Sequence, residues 1–431
     1  MKLLLQRLLA SAARYTLKRY RPKVVAITGS VGKTSTREAV FTVLAGRYRV
    51  RRSEKNYNTE IGVPLTILGI PHYGRNVVGW IFAIGRARWR ALVRSPGYPE
   101  ILVLEMGADR PGDIGYLAAL ARPTVGVITA IGDMPVHVEF FKSPKAVAEE
   151  KANLIAALPP EGRAVLNGDD AAIHDIRGRA RARILSFGFR KDATVRIQRY
   201  ELDAAGHPPG IRFGLAYNGE VATVMLKNTF GEQQAYAAAA AACVGLIFRL
   251  RLGEIARAIS RYESPPGRLK LLRGNKGTLI LDDTYNASPM ATLAALEVLA
   301  AFPAKRRIAV LGDMLELGVY TEAAHRTIGE RVISAADIFI AVGERMKFAL
   351  DAALHPSAGS VRRLAGDHAL WFATAREAGA ALEAMLRPGD AMLVKGSQSM
   401  RMEWVVEEIM AEPQRAKELL VRQDDEWRKR P

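Results

Sequence analysis

The stretch Lys23–Thr36, KVVAITGSVGKTST, decides the fold of this 431-residue chain. Its first half is a run of small and β-branched apolar residues, which predicts a buried strand. Gly29 and Gly32 follow in a turn, and the residues after Thr34 have helical spacing. A strand, a glycine-rich turn and a helix in this order are typical of an α/β fold that binds phosphate at the helix N-terminus.

The side chains of this turn suit a nucleoside triphosphate. Lys33 can reach the β- and γ-phosphates, the Thr34 hydroxyl can bind Mg²⁺, and main-chain N–H groups can cradle phosphate oxygens. Ile27 stands where the strict phosphate-loop pattern has a glycine, so the motif is a variant. We predict that the nucleotide is bound by Gly29, Ser30, Gly32, Lys33, Thr34 and Ser35.

Outside this unit, short apolar segments alternate with helix-like stretches. Further strands are predicted at 101–105, 125–128, 164–166, 183–187, 278–281, 307–311, 338–342 and 391–394. Residues 193–227 alternate in polarity between Gly/Pro turns, which predicts antiparallel hairpins. The sequence therefore predicts an α/β protein. A P-loop central ATPase domain with a parallel sheet plus antiparallel hairpins would be followed by a Rossmann-like C-terminal α/β domain.

The length predicts two or three domains. We expect a basic amphipathic N-terminal helix over 1–22 and an ATP-binding domain over 23–263, with a Trp/Arg-rich insertion at 71–99. A C-terminal domain would cover 264–411, starting at the Pro265–Gly267 hinge, and residues 412–431 would form a polar tail.

The charge of the chain is concentrated at its N-terminal end. The sequence has 62 Lys and Arg against 44 Asp and Glu, a net charge of +18, and the first 94 residues hold +16 of it. An excess of this size suggests nucleic acid, an acidic membrane surface or a phosphorylated substrate as partner. The nearly neutral remainder argues against nucleic acid, which would need basic residues and stacking aromatics along the body.

Two amphipathic segments carry most of this basic excess. Residues 1–22 place Arg7, Arg14, Lys18 and Arg21 on one helical face, opposite Leu5, Leu8, Leu9, Ala12 and Thr16. Residues 77–93 combine an apolar run with Trp80, Trp89, Arg86, Arg88 and Arg90. Both segments suit an anionic membrane interface, although helices packed on their own domain with a solvated basic side would have the same pattern. Neither predicts a spanning helix.

Cys243 is the only cysteine, which excludes an internal disulfide and a cysteine-based zinc site. Its alanine-rich surroundings favour core packing, and the cysteine usage fits a reducing cytoplasm.

Several motifs, in this order, resemble the Mur ligase family over residues 23–410. They are TGSVGKTST (28–36), NYNTEIGVP (56–64), LEMGADRPGDI (104–114), DDTYNASP (282–289), LGDMLELG (311–318) and LVKGSQSM (393–400). Members are ATP-dependent amide ligases of peptidoglycan precursor synthesis. The resemblance implies that a carboxylate attacks the γ-phosphate, and that an amine then displaces phosphate from the acyl phosphate.

The resemblance also implies a catalytic and metal set. Lys33, His137 and Lys151 would be catalytic, and Thr34, Glu105, His137 and Lys151 would bind two Mg²⁺ ions, with Lys151 carbamylated by CO₂. The alternatives are a structural histidine and an ordinary helix lysine. Asn153 stands where close relatives usually have Glu.

The remaining site residues follow from the same resemblance. ATP would be bound by Asn167 near the adenine, by Arg268 across the hinge, and by Asp282, Asp283 and Asn286. The two carboxylates could instead orient the C-terminal domain. Asn56, Asn58, Thr59, Asp313, Glu316, His325, Lys395 and Ser397 would bind or shape the substrate sites. Loop and helix capping is the alternative for Asp313 and Glu316. Gln234 stands where relatives more often carry Asn.

Only 22 residues precede the first strand, where the family has a UDP-binding domain, so we expect that domain to be absent or replaced. Three functions stay open. The first is ligation of D-Ala-D-Ala, or another amine, to a UDP-muramoyl-peptide. The second is ligation to a different acidic or lipid-linked acceptor, and the third is a P-loop nucleotide switch or nucleic-acid-binding ATPase. We expect a cytoplasmic monomer, peripheral at the inner face of the membrane.

Overall fold

A computed structural model describes residues 2–54, 57–135, 137–203, 206, 208–356 and 364–428. The strands are β1 (Lys23–Thr28), β2 (Val50–Arg52), β3 (Ile101–Glu105), β4 (Val125–Ile128), β5 (Arg163–Asn167), β6 (Arg183–Gly188), β7 (Val195–Asp203), β8 (Gly210–Tyr217), β9 (Glu220–Lys227), β10 (Lys270–Arg273), β11 (Leu279–Asp283), β12 (Arg306–Gly312), β13 (Ile338–Val342), β14 (Ala369–Phe372) and β15 (Asp390–Lys395). The helices are α1 (Lys2–Tyr20), α2 (Lys33–Ala45), α3 (Gly62–Leu68), α4 (Val77–Leu92), α5 (Asp113–Ala121), α6 (Pro144–Ala156), α7 (Ala171–Ile176), α8 (Glu232–Ile247), α9 (Leu252–Ile259), α10 (Pro289–Ala301), α11 (Thr321–Ala335), α12 (Met346–Leu354), α13 (Ala375–Met385), α14 (Glu403–Ile409), α15 (Ala416–Leu419) and α16 (Asp425–Arg428).

The first sheet has nine strands in the order β2-β3-β1-β4-β5-β6-β7-β8-β9. Neighbours from β2 to β7 pair in parallel, whereas β7, β8 and β9 form antiparallel hairpins. The predicted parallel sheet with antiparallel hairpins is confirmed. Chain order reverses at β1, which lies between β3 and β4, and α/β proteins bind ligands at the carboxyl ends of strands at such a point.

The second sheet has six strands in the order β10-β11-β15-β12-β13-β14. All pairs are parallel except β10 with β11. Separate hydrophobic clusters cover its two faces, which is why its central strands are apolar throughout. This confirms the predicted Rossmann-like α/β unit.

The alanine-rich helix α8 is the core of the first unit. It packs against α2, and its alanines are fully buried because only small side chains allow this close approach. Cys243 is fully buried on the same helix, as predicted from its surroundings. Burial raises the pKa of its thiol, so the cysteine is chemically inert in the folded protein.

Helix α1 is part of the folded body. It packs against α3, α4 and α5, with Leu9 and Ala12 fully buried. The predicted apolar face is right for Leu9, Ala12 and Thr16 but wrong for Leu8, which is 47% exposed. None of the helices in the described part of the chain combines the length and the apolar character that crossing a bilayer requires.

Three short strands do not appear among the sequence predictions: β2, β10 and β14. Each has at most four residues and lies at or next to a sheet edge, where burial is partial and the apolar pattern is weak. The segment after 411 also contains helical turns, and its Val421 packs near Gly267 at the predicted hinge.

Candidate active site

The phosphate loop follows β1 at the carboxyl edge of the first sheet and leads into α2. Gly29 has φ +148°, and a Cβ there would lie 2.0 Å from Oγ1 of Thr129. Gly32 has φ +88° directly before the helix. Both positions therefore require glycine, and the first turn of α2, which begins with Lys33, lies beside the cleft.

The phosphate loop and the nearby Arg268 contain polar groups that a bound anion would satisfy. Nζ of Lys33 donates to the carbonyl oxygen of Gly29 at 2.8 Å, and burial lowers the pKa of this lysine. Oγ of Ser30 and Nε of Arg268 are buried without a hydrogen-bond partner among the described residues. Because such groups are normally satisfied, they fit the phosphates of a bound nucleotide.

Glu105 ends β3 beside the loop and is almost fully buried. Its Oε2 lies 3.2 Å from Oγ1 of Thr34 and 3.1 Å from Nη1 of Arg37, while Nδ2 of Asn58 donates to Oε1 at 3.3 Å. A carboxylate and a hydroxyl at this distance, next to a phosphate loop, are the oxygen ligands that Mg²⁺ prefers. The pair therefore fits one magnesium ion.

A second group lies across the same cavity, whose volume is about 590 Å³. His137 and Lys151 line it together with Lys33, Glu105, Asn58 and Thr59. Burial and the nearby Lys33 charge lower the pKa of Lys151 to about 7, so its amine is partly neutral. The described residues contain no cluster of three or more His, Cys, Asp and Glu side chains spaced for a metal.

His137 also contacts the C-terminal unit. Its Nδ1 lies 2.6 Å from Oε2 of Glu316, and this contact lowers the pKa of the glutamate. Both residues have positive φ, His137 at +67° and Glu316 at +64°, so each projects from a constrained turn. Glu316 therefore lines the cleft itself rather than only capping a loop.

Glu150, next to Lys151, is a residue that the sequence reasoning missed. Its carboxylate accepts hydrogen bonds from the N–H groups of Gly112 (2.8 Å) and Ile114 (2.7 Å) at the start of α5. Nδ2 of Asn153 donates to the same carboxylate at 3.2 Å. These bonds fix α6, and hence Lys151, against the GADRPGDI loop. The only sequence signal is an acidic residue beside a candidate ligand.

Arg268 reaches the phosphate loop from the linker between the two sheets. Its Nη2 donates to Oγ1 of Thr34 at 3.3 Å, and its guanidinium carbon lies 3.8 Å from the ring centroid of Tyr285. Nε2 of Gln234 donates to the Arg268 carbonyl at 3.2 Å. Gln234 therefore positions the arginine that the family resemblance places on ATP.

A neighbouring cavity of about 380 Å³ shares Val31 with the cavity around the phosphate loop. Asn167, at the end of β5, lines it together with Phe187, Tyr236 and Met290. Oδ1 of Asn167 accepts from the N–H of Asp169 at 3.0 Å. A cavity lined by apolar side chains with a few polar groups is typical of a small-molecule site, and its place beside the phosphate loop fits a nucleotide base.

Most of the C-terminal candidates are engaged within their own unit. Asp282 is fully buried and accepts from the N–H of Gly267, and Asp283 lies 2.6 Å from Nζ of Lys395. Nζ of Lys395 also donates to the carbonyl of Asn286, which lines the catalytic cavity. These residues support the loop of Asn286 instead of opening into the cleft themselves.

Asp313, His325 and Ser397 are also buried. Oδ1 of Asp313 caps the N–H of Met346 at 2.8 Å, and Nε2 of His325 accepts from Met314 at 3.1 Å. Oγ of Ser397 accepts from Leu315 at 2.9 Å. For Asp313 the structure thus favours the capping alternative. Among the earlier candidates, Asn56 lies outside the described residues.

Comparison with known proteins identifies the family. Residues 90–245 match the Mur ligase middle domain, and residues 267–398 match the Mur ligase glutamate ligase domain. UDP-N-acetylmuramoyl-tripeptide–D-alanyl-D-alanine ligase of Synechocystis is 30% identical over 398 residues, which cover 92% of this chain and 76% of that protein. The chain belongs to the Mur ligase family.

Solved structures of Mur ligases agree with the fold. MurF of Thermotoga maritima, determined in complex with ADP, superimposes with a TM-score of 0.76 at 28% identity, covering 94% of this chain and 83% of that one. MurF of Acinetobacter baumannii also gives 0.76, at 25% identity with coverages of 94% and 79%. The resemblance predicted from the motifs is confirmed.

Proposed function

We propose that this Mur ligase is an ATP-dependent, ADP-forming enzyme that joins D-Ala-D-Ala to a UDP-N-acetylmuramoyl-tripeptide. One observation carries the proposal. The phosphate loop, the Thr34–Glu105 pair and Arg268 meet in one cleft of a chain that is similar to such ligases over more than nine-tenths of its length. Peptidoglycan precursor synthesis is the process that this reaction serves.

The reaction needs two displacements. The acceptor carboxylate attacks the γ-phosphorus, the bond to ADP breaks, and an acyl phosphate forms. The amine then attacks the acyl carbon, loses a proton and expels phosphate. Lys33, the N-terminus of α2 and Arg268 stabilise the charge on the transferring phosphoryl group. Glu105 and Asn58, which are hydrogen-bonded to each other, fix the edge of the cleft that the acceptor enters.

Thr34 and Glu105 would hold the first Mg²⁺, and His137 and Lys151 a second. Bound there, the ions would neutralise phosphate charge and orient the reacting oxygens. Lys151 supports carbamylation because it is fully buried in the cleft near Lys33. Addition of its neutral amine to CO₂ releases one proton and creates a carboxylate, which the nearby Lys33 cation would attract.

The remaining site residues are proposed in two roles. Those that line the cleft would contact ligands: Ser30, Asn58, Thr59, Arg268, Asn286 and Glu316, with Asn167 at the base. The buried set would position them: Ser35, Asp282, Asp283, Asp313, His325, Lys395 and Ser397. We further propose domain boundaries near 22, 263 and 411, a monomeric state, and a cytoplasmic location peripheral at the inner face of the membrane.

A lipid-linked acceptor is a second candidate. The basic and partly apolar surface of α1 and α4 favours it, because both features suit a ligand presented at a bilayer. The ligation chemistry in the cleft would be the same, so the two candidates differ only in the acceptor.

The test is an ADP-release assay with Mg-ATP, D-Ala-D-Ala and either UDP-muramoyl-tripeptide or its lipid-linked form. We expect release only when acceptor and amine are both present, and loss of at least a thousandfold in Lys33→Ala. Lys305→Ala, at an exposed lysine that directly precedes β12 and so lies at the amino-terminal edge of the second sheet, is the control. Release of ADP without any acceptor would refute the ligase assignment, and a preference for the lipid-linked form would favour the second candidate.

A further inference from the structure

Helix α4 carries apolar side chains on the face that points away from the protein. Val78, Ile81, Phe82, Trp89 and Leu92 recur at helical spacing, and Val78 and Phe82 are 77% and 74% exposed. The opposite face, with Trp80, Ala83, Ala87 and Ala91, is buried. A helix that covers a domain normally turns polar side chains outward. This helix is apolar on its core face and along an outer stripe.

Helix α1 extends the same surface. The two helices run in the same direction, since Tyr15 lies near Arg88 and the Tyr20 hydroxyl donates to the Arg90 carbonyl at 2.8 Å. Their amino-terminal turns therefore lie at one end, where α1 exposes Leu3, Leu4 and Leu8. We call the outward sides of α1 and α4 the α1–α4 surface.

This concentration of apolar side chains is local. The described part of the chain has fifteen exposed large hydrophobic side chains, and ten of them belong to α1, α4 or the adjoining Val93. Monomeric soluble proteins rarely expose a contiguous apolar patch of this kind unless it binds something. The surface therefore requires an occupant.

The charge around the stripe indicates which occupant. Neither helix contains Asp or Glu. Arg86 and Arg90 lie along one side of the α4 stripe and Arg88 along the other, and Arg7, Arg14 and Lys18 are exposed on α1. A second copy of the same surface would bring like charges together, whereas anionic lipid headgroups would neutralise them. Trp89, flanked by two of these arginines, suits the boundary between headgroups and acyl chains.

We propose that the α1–α4 surface binds an anionic lipid bilayer. Leu4, Ile81 and Phe82 would insert among the acyl chains, and the arginines would pair with headgroup phosphates. The surface lies next to the catalytic cleft. Its buried side packs on α3 in a cluster that includes Tyr57 and Ile61, and these residues flank Asn58, which is hydrogen-bonded to Glu105. Binding would therefore hold the acceptor side of the cleft close to the membrane.

The experiment is flotation of the full chain with vesicles of phosphatidylcholine alone or phosphatidylcholine mixed with phosphatidylglycerol. We expect binding to the mixed vesicles that falls as salt rises. The double variant Ile81→Gln/Phe82→Gln should lower the bound fraction about tenfold, because two large apolar side chains lose their insertion. Val221→Gln, at a 52% exposed valine on β9, should not change it.

A second set of variants tests the charge. Arg86→Gln/Arg88→Gln/Arg90→Gln should lower binding to the anionic vesicles at least tenfold. The matched control is Arg181→Gln/Arg183→Gln/Arg212→Gln, at three exposed arginines elsewhere. All these side chains lie on the surface, so the variants should fold. Deletion of α1, in contrast, would open the core at Leu9 and Ala12.

Two outcomes would overturn the proposal. One is equal flotation of the wild type, the Ile81→Gln/Phe82→Gln variant and the triple arginine variant of α4. The other is a concentration-dependent dimer that dissociates in Ile81→Gln/Phe82→Gln, which would make a second copy the occupant. ADP release measured on the same preparations distinguishes failure of the membrane proposal from failure of the ligase function. If the protein is active but does not bind vesicles, the membrane proposal is refuted and the ligase function is unaffected.

Discussion

The guanidinium of Arg268 lies over the ring of Tyr285, with 3.8 Å between the guanidinium carbon and the ring centroid. Arg268 belongs to the linker between the two sheets, and Tyr285 to the loop after β11. The stack leaves Nη2 of Arg268 3.3 Å from Oγ1 of Thr34 in the phosphate loop. One aromatic ring of the C-terminal unit thus holds a cation of the linker against the phosphate loop of the first unit.

The first prediction concerns this ring. Tyr285→Leu should lower kcat about thirtyfold, because a cation–π contact in a desolvated cleft contributes about 2 kcal/mol to holding the guanidinium. Tyr285→Phe keeps the ring and should stay within about twofold of the wild type. The measurement is steady-state ADP release at saturating ATP. Equal losses in the two variants would show that the hydroxyl, and not the stack, matters.

The second prediction concerns Arg422, which lies in the segment expected to be a polar tail. Its guanidinium donates to the carbonyls of Thr284 and Tyr285 and pairs with the fully buried Glu403 at 2.7 Å. Arg422→Gln should lower the free energy of unfolding by about 3 kcal/mol and also lower kcat, because the Tyr285 loop loses its support.

The control for Arg422 is another arginine of the same segment. Arg415 forms exposed ion pairs with Glu412 and Glu418. Its replacement by Gln should change stability by no more than about 0.5 kcal/mol. Denaturant unfolding and ADP release on both variants make the comparison. Similar small effects would mean that the tail is not part of the catalytic support.

The third prediction is a pH dependence. Burial lowers the pKa of His325, whose Nε2 accepts the N–H of Met314 and whose Nδ1 lies 2.6 Å from the Thr321 carbonyl. The Nε2 contact requires an unprotonated nitrogen and therefore a neutral ring, whereas the Nδ1–H that donates to Thr321 is present in either protonation state. As pH falls below the unfolded pKa of about 6.5, the unfolded chain binds a proton that the folded chain binds less readily. The free energy of unfolding should therefore fall between about pH 7 and pH 5.

His325→Asn should be less stable than the wild type at neutral pH, by about 1–3 kcal/mol, but should show a smaller fall with pH. His368→Asn, at an exposed histidine, should keep the wild-type profile. Parallel pH profiles for wild type and His325→Asn would contradict this explanation.

The fourth prediction tests Lys151. In buffer freed of CO₂, activity should decline and return on addition of bicarbonate, because the neutral amine is the form that adds CO₂. Lys151→Ala should be inactive and partly restored by small carboxylates that can occupy the vacated space. Activity that does not depend on bicarbonate, with no rescue, would leave Lys151 as an unmodified lysine.

Much of the fold was predictable because its strands are short, apolar and regularly separated. Gly29 is a clear case, since the sequence alone predicted a tight turn and Thr129 leaves no room there for a side chain. The edge strand β10 was missed because partial burial gives it no apolar periodicity. The support from Arg422 was missed because it joins residues 137 and 138 positions apart, a relation that no local pattern records.

The candidate site divides in the same way. Motif residues that face the cleft were recognisable from their place in the fold, Lys33 in the glycine turn before a helix and Glu105 at the end of a strand. Lys395 and Ser397 belong to an equally clear motif, yet they lie buried, bonded to Asp283 and Leu315. A sequence motif does not distinguish a residue that contacts the ligand from one that supports such a residue, because the geometry of the site constrains both.

We propose that attack of the acceptor carboxylate on the γ-phosphate of ATP starts the ligation. The most direct test of this proposal uses UDP-muramoyl-tripeptide labelled with ¹⁸O in the reacting carboxylate, followed by mass analysis of the inorganic phosphate released with D-Ala-D-Ala. Attack by that carboxylate transfers one labelled oxygen to phosphate in each turnover. We expect this transfer together with formation of the longer peptide. Phosphate that carries no label while ADP accumulates would mean that water attacks instead, and would contradict the account.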